Sequence, residues 1–290
     1  TDTGETITKE VEAYPIFRKL AQMNWDYAEP GILFWDRITS WNLLSNNKEF
    51  SYAGVNPCAE EPLPAGGSCL LGSINLAEFV TKERKLDLIS LRETIRVAVI
   101  ALNEVLDEGL PLHPLQEQRD SVAEWRQIGL GVMGLADIKL RVKYGSATSR
   151  SVLESIGHEL IMTALETSSM LAANYGPYPK FNRDCVIQTP FFKNLDSGDM
   201  NDLRFQSLHD VICKYGLRNS QLLTCAPTGS IATMLGVSTG CEPIFATSYT
   251  RKTESLVNEE KYYKVYTPII KKLIDEGFSE EALPEYVVTS

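Results

Sequence analysis

Two kinds of apolar segment take turns along this chain, helical in spacing at one stretch and strand-like at the next, with no internal repeat and no low-complexity tract. Such alternation predicts an α/β fold, because strands with apolar faces need helices to cover them. Leu88, Leu91, Ile95, Ala98, Leu102 and Val105 recur at intervals of three and four, and Ser90 with Glu93 has the spacing of a capping box. A helix is expected over residues 11–28, ending at Pro30-Gly31, where the run ILFWDRI is short enough for a buried strand. Ser151 with Glu154 reads as another helix start, with Leu153, Ile156, Leu160 and Ala164 on one face and Gly176-Pro177 as its close. Residues 202–215 and 258–276 read as helices, SQLLTCAPTGSIATMLG as a strand, a turn and a helix start, and EPIFATSYT as a strand. IGLGVMGLAD is apolar and rich in glycine. No shift in composition cuts the chain, so residues 1–290 are expected to form one domain or part of one.

A chain of 290 residues that is 43% hydrophobic and 23% charged can bury a sizeable core, which excludes disordered, collagen-like and coiled-coil classes. No apolar run has the length to cross a bilayer, and TDTGETITKEVEAY lacks the basic start and apolar stretch of a secretory signal. A cytoplasmic location without membrane contact is the expectation. Net charge −10 argues against a surface that grips nucleic acid through many phosphates, but leaves room for a local pocket for a small phosphate. The six cysteines contain no CxxC, and His113, His158 and His209 are scattered, so neither a zinc framework nor another metal site is expected. In a cytoplasmic chain most of these thiols should be reduced.

Asn56, Cys58 and Glu60 are spaced by two, so on an extended segment amide, thiol and carboxylate project to the same side. A carboxylate beside a thiol raises the thiol's pKa, which disfavours a thiolate nucleophile and suits hydrogen-atom chemistry. The plain alternative is that Cys58 is a small buried hydrophobe, Asn56 a turn residue and Glu60 solvated surface. Pro62, Pro64, Gly66 and Gly67 turn the chain back, so that Cys69 either returns over the same space or merely packs. In CAPTGSIATMLG the exposed N–H groups of a helix start, the Thr228 and Ser230 hydroxyls and Gly229 make an anion seat, or else a simple Ser/Thr cap. It is not a P-loop, since GK[ST] is missing. Arg251 and Lys252 read as solvated residues at a strand end, and Cys185, Cys213, Cys225 and Cys241 as packing residues; the histidines have no assigned role.

Taken in order, AEPGILFWDRI, NPCAEEPLPAGGSCLLGSINLAEFV, RQIGLGVMGLAD and APTGSIATMLGVSTGCEPIFATSYTRKT resemble the catalytic subunit of ribonucleotide reductases, from about residue 14 to the end and most weakly over 180–215. The resemblance implies part of a ten-stranded α/β barrel of the ribonucleotide reductase and glycyl-radical type, two five-stranded halves around a finger loop. It implies that Cys58 becomes a thiyl radical that takes the 3′-hydrogen of the ribose, that Glu60 is general base on the 3′-hydroxyl, and that Asn56 holds the sugar hydroxyls. Water then leaves C2′, and Cys69 is one of two thiols that reduce the sugar radical and end as a disulfide. Pro227, Thr228, Gly229, Ser230 and Ile231 match the loop that holds the phosphates of a ribonucleoside di- or triphosphate.

The NPC-x-E wording and the short interval to Cys69 are most similar to the cobalamin-dependent class, which implies adenosylcobalamin; the alternative is a radical supplied by a metal-containing small subunit. Tyr262-Tyr263 resembles that class's relay pair but lies too close to the phosphate loop, and is read as helix-surface tyrosines. A glycyl-radical motif is not found in the sequence. The first half-barrel with the second reducing cysteine, the effector loops, the final strand and the C-terminal redox tail have no counterpart in residues 1–290. The expectation is therefore a fragment, split product or truncated form that needs a complementary segment or chain, is inactive alone, self-associates through its open sheet edges, and is reduced by a thioredoxin- or glutaredoxin-type protein. Two readings from other classes are a non-catalytic assembly module and a cysteine-dependent transferase with a thiolate at Cys58.

Overall fold

The computed structural model describes residues 4, 6, 8–141, 146–196, 203–244, 246–254, 260–275, 277 and 279, with backbone alone at 139–141, 146–149, 251–254, 260, 261 and 273. Thr1–Ser40 and Trp41–Ser290 are two compact units. The first holds helix α1, Ala13–Tyr27, and helix α2, Trp35–Ser40. ILFWDRI is thus no strand. The Phe34 carbonyl accepts from the N–H groups of Arg37 (3.0 Å) and Ile38 (3.1 Å), closing a helical turn locally, whereas a strand needs a neighbour to pair with.

In the second unit, β1 (Gly54–Val55) and β2 (Pro62–Leu63) form a short antiparallel hairpin. Strand β3, Leu71–Asn75, leads through helix α3, Leu88–Gly109, and helix α4, Gln116–Trp125, into β4, Gly129–Met133. β3 and β4 are parallel, with Leu71 opposite Gly129 and Asn75 opposite Met133, which makes the stretch a βαβ unit. Every residue of β4 is buried, as a parallel strand covered on both faces should be. Helices α5 (Leu135–Arg141), α6 (Ser146–Tyr175), α7 (Arg183–Ile187), α8 (Pro190–Lys193) and α9 (Leu203–Tyr215) follow. The chain then returns to the sheet. Residues 221–224 run parallel to β4 on the side away from β3: the N–H of Leu130 donates to Leu222 O (2.8 Å) and that of Thr224 to Leu130 O (3.1 Å). Helix α10, Gly229–Leu235, starts beyond the end of this third strand. Strands β5 (Ser248–Glu254) and β6 (Glu260–Tyr266) form an antiparallel hairpin before helix α11, Pro268–Asp275.

The core lies between α3, α6, α9 and the sheet, with Leu91, Ile95, Val99, Leu102, Leu106, Ile156, Leu208 and Ile212 buried against Leu130 and Val132. The α3 stripe departs from the sequence reading at its edge. Val105 is 53% exposed, and Val99 and Leu106 are buried instead, because Val105 lies about 80° around the helix from the stripe's centre at 100° per residue. The capping box also shifts: Asp87 is the N-cap and accepts from Ser90 N (3.0 Å), while Glu93 pairs with Arg96 at 2.6 Å. On α6 the helix begins at Ser146, so Ser151 is interior and Glu154 pairs with Arg150, one turn earlier, at 2.9 Å. Gly176, at φ +83°, ends α6. Residues 258–276 are not one helix, because the pairing of β5 with β6 runs from Ser248↔Tyr266 to Glu254↔Glu260 and the helix starts only at Pro268. Tyr262 and Tyr263 therefore lie on a strand. EPIFATSYT becomes strand only from Ser248, and its residue 245 lies outside the described residues.

Two polar networks bind the helices together. Glu159, 4% exposed, accepts from Arg92 (2.7 Å), Thr163 (2.6 Å) and Arg204 (3.0 Å), tying α6 to α3 and α9. Asn219, just before the third strand, donates to Asn103 Oδ1 (3.0 Å) and Arg126 O (2.9 Å) and accepts from Ser168 Oγ (3.0 Å).

Candidate functional site

The tip of the β1–β2 hairpin is a turn rather than an extended segment, which corrects the premise that residues two apart share a side there. Asn56 N donates to Glu61 O (3.2 Å), Glu61 N donates back to Asn56 Oδ1 (2.9 Å), and Ala59 N donates to Asn56 O (2.9 Å). Ala59 takes the left-handed conformation, φ +65°, to complete the reversal. Cys58 stands exposed at the apex between Pro57 and Ala59, which are exposed too. Cys58 is thus not the small buried hydrophobe of the plain alternative.

Below the apex the carboxylates turn inward. Glu61 is 3% exposed, and neither of its oxygens meets a nitrogen or oxygen donor; one oxygen of Glu60 is buried and unpartnered as well. Burial first, and the neighbouring Glu60 charge after it, push the Glu61 carboxyl up to about 7, while the Cys69 thiol offsets a little of the rise. The turn through Pro64 and Gly67 (Gly67 N to Pro64 O, 3.0 Å) brings Cys69 beside the tip, where Asn56 Nδ2 lies 3.8 Å from its sulfur. Cys69 is exposed as a residue, yet partial desolvation of its thiol, then the Glu61 carboxyl, push it up to about 12. The pairing of thiol with carboxyl that the sequence suggests for Cys58 and Glu60 is thus made by Cys69 and Glu61.

The hairpin is moored to the third strand. Thr224 Oγ1 donates to Glu60 O (2.8 Å), and Gln221 Nε2 donates to Pro62 O (3.1 Å). The glycines of β4 make this approach possible. A Cβ on Gly129 would lie 2.8 Å from Leu71, 3.0 Å from Thr224 and 3.3 Å from Glu61 Oε1, and one on Gly131 would lie 2.9 Å from Thr224 O.

The strand that holds Glu60 runs straight on into Pro227–Ile231, at the carboxyl end of the parallel sheet where ligands of such sheets bind. Thr228 is left-handed, φ +55°, and its side chain does not cap α10; its Oγ1 accepts instead from Gly240 N at 2.8 Å. The simple cap of the sequence reading is thereby set aside. Gly229, Ser230 and Ile231 are exposed, and a Cβ on Gly229 would meet nothing within 4 Å, so this face is open. Ala232 and Val237 pack with Ala77 and Met133, fixing α10 against the ends of β3 and β4. Cys225 and Cys241 flank the loop with their sulfurs 3.9 Å apart, and both are exposed, which corrects their reading as packing residues without partners. Cys185 and Cys213 are half-buried, and the Cys213 sulfur lies 3.7 Å from His209 Nε2.

A family profile described as the barrel domain of ribonucleotide reductase matches residues 2–289. The chain belongs to that family. Among its relatives are a vitamin B12-dependent ribonucleoside-diphosphate reductase of Thermoplasma acidophilum, 30% identical over 98% of this chain and 33% of the relative, and the ribonucleoside-diphosphate reductase subunit alpha of Chlamydia pneumoniae, 32% identical over 95% and 28%. The ribonucleoside-diphosphate reductase large subunit of Caenorhabditis elegans is 31% identical over 77% of this chain and 28% of the relative. The chain spans about a third of the length of these curated relatives. As a member of the barrel family it has an α/β fold, and among the described residues the strands form no closed barrel. Among the described residues no helix is long and apolar enough to cross a membrane.

Sequence reasoning missed Glu61, Thr224 and the Cys225–Cys241 pair. The doubled glutamate was visible, but which of the two is the more deeply buried depends on how the hairpin meets the third strand. The side chains of Arg251 and Lys252 lie outside the described residues.

Proposed function

We propose that this chain supplies the radical-bearing part of a ribonucleoside diphosphate reductase and works as one partial catalytic domain with a complementary segment or chain. The diphosphate is chosen because the relatives are named for it. The observation that carries the reading is the 2.8 Å bond from Thr224 Oγ1 to Glu60 O, since it joins the Cys58 hairpin to the strand that continues into the 227–231 loop. Pro227, Thr228, Gly229, Ser230 and Ile231 hold the phosphates on their open face. The ribose then reaches toward the hairpin tip. Cys58, as thiyl, takes the 3′-hydrogen while Glu60 accepts the 3′-hydroxyl proton, and Asn56 orients the sugar hydroxyls. Loss of water from C2′ follows, after which Cys69 and a second thiol from the complementary part deliver the reducing equivalents and become a disulfide. A dithiol protein of the thioredoxin or glutaredoxin type restores them. A thiol held up at about 12 suits Cys69 for this task, because it stays protonated until its hydrogen is needed.

The proposed radical source is adenosylcobalamin, in keeping with the B12-dependent relatives. Cys58 fits a bulky group, since it stands exposed at an apex flanked only by exposed Pro57 and Ala59. Such a cofactor, when bound, supplies an organic radical able to take the thiol hydrogen.

The test combines the chain with the complementary segment of a relative, adenosylcobalamin, a ribonucleoside diphosphate and a dithiol reductant. Deoxyribonucleotide should form, C58S should abolish it while keeping nucleotide affinity, and S230A should weaken affinity by about tenfold, the worth of one hydrogen bond to a charged group. Turnover by C58S would end the thiyl reading. Turnover only with a metal-containing small subunit would replace the cofactor. A complex that forms and binds no nucleotide would make the chain an assembly module.

A further inference from the structure

Cys225 and Cys241 bracket the whole 227–231 loop, sixteen residues apart in sequence with sulfurs at 3.9 Å. The base of this loop is closed without them. Gly240 N donates to Thr228 Oγ1 (2.8 Å), and Gly240, at φ +43°, lies so close to the neighbouring turn that a Cβ would stand 2.9 Å from Ala226 O. The backbone therefore holds the two cysteines face to face, exposed to small solutes. A disulfide needs its sulfurs at about 2.05 Å, so roughly 2 Å remains to be closed, a distance within reach of side-chain rotation and a small shift of the loop base.

We propose that Cys225 and Cys241 are a redox-active dithiol that closes to a disulfide by exchange with a low-molecular-weight disulfide and thereby locks the base of the phosphate loop. The chemistry favours it. The hydrogen bond from Cys241 outweighs burial and holds the Cys225 thiol down to about 6, while Cys241 is raised, so near neutral pH one sulfur is a thiolate and its neighbour a thiol. The Cys225 thiolate attacks one sulfur of the small disulfide, giving a mixed disulfide and one small thiolate, which takes up a proton. Cys241 loses its proton to solvent and attacks the Cys225 sulfur, expelling the second small thiolate. The two cysteines lose two electrons, and the small disulfide gains them as two thiols.

The consequence for phosphate binding rests on the reading of 227–231 as a phosphate seat. Drawing the base together moves Gly240, which anchors the Thr228 hydroxyl, and the oxidised chain should bind phosphate about tenfold more weakly, the worth of one lost hydrogen bond. The full chain is incubated with oxidised glutathione, alkylated and cut with trypsin, which leaves both cysteines on the fragment 219–251. The expected fragment has lost two hydrogens, resists alkylation at both cysteines, and reverts with dithiothreitol. Separate glutathione adducts, or alkylation of both, would overturn the dithiol. Inorganic pyrophosphate is then titrated into reduced and oxidised chain, with C241S treated alike as control. Weaker binding in the oxidised chain but not in C241S supports the lock, and equal affinity overturns it. If the reduced chain binds no pyrophosphate either, the phosphate seat and the lock both fall, and the mass measurement still decides the bond.

Discussion

Two buried glutamates in one chain have opposite fates. Glu159, between α3, α6 and α9, is met by two arginines and a threonine; burial works against its charge, but those hydrogen bonds prevail and hold the carboxyl down to about 2. Glu61, under the hairpin tip, meets no donor but the Cys69 thiol and rises to about 7. The first arrangement is what a structural charge requires. The second costs stability, because a buried carboxylate that meets no cation loses more hydration than it regains.

The comparison breaks first at Glu159. E159A leaves Arg92 and Arg204 facing each other around an empty anion site and should cost about 3–5 kcal/mol in denaturant unfolding. E61Q, by contrast, should leave stability at neutral pH unchanged or raised.

Opposite pH windows sharpen the contrast. Glu159 has a folded pKa below its unfolded value, so its contribution is full above the ordinary carboxylate range and is lost as pH falls toward 2. Glu61 is raised in the fold, so stability is greatest while it is protonated and declines as pH climbs from about 4.5 to about 7. Each slope should amount to on the order of 1–2 kcal/mol after solvent screening. Unfolding midpoints followed across pH in wild type, E159Q and E61Q should lose one slope each.

G129A tests whether the close approach of strand and hairpin is required. The added methyl meets the ends of Leu71 and Thr224 and the Glu61 oxygen, and should cost about 1–3 kcal/mol by overpacking. The smallest effect is expected at Cys69. Since burial raises its thiol more than Glu61 does, E61Q should speed alkylation of Cys69 at pH 8 only several-fold, as read by mass spectrometry. An unchanged rate would uncouple the two side chains.

Periodicity made the helical framework legible. Residues 202–215 and the end of α6 at Gly176 fall where spacing and punctuation put them, because such signals are local. ILFWDRI and 258–276 went astray for the opposite reason: whether an apolar run becomes strand or helix depends on a pairing partner, and Tyr262 and Tyr263 found one in β5. At the site, Asn56, Cys58, Cys69 and Thr228 could be singled out by residue type and spacing. That Glu61 is the more deeply buried of the two glutamates could not, since burial there follows from how the hairpin meets the third strand.

By itself the sequence determined the α/β class, the helices whose apolar stripes need no distant partner, and the short segments where thiols, carboxylates and hydroxyls gather. Tertiary structure alone decided that Thr224 grips the Glu60 carbonyl, that Glu61 is interred beside Cys69 with no nitrogen or oxygen donor, and that Cys225 meets Cys241. The reason is physical. Spacing along the chain governs contacts within a turn or two, but burial and the approach of segments far apart in sequence follow only from how sheet and helices close on one another.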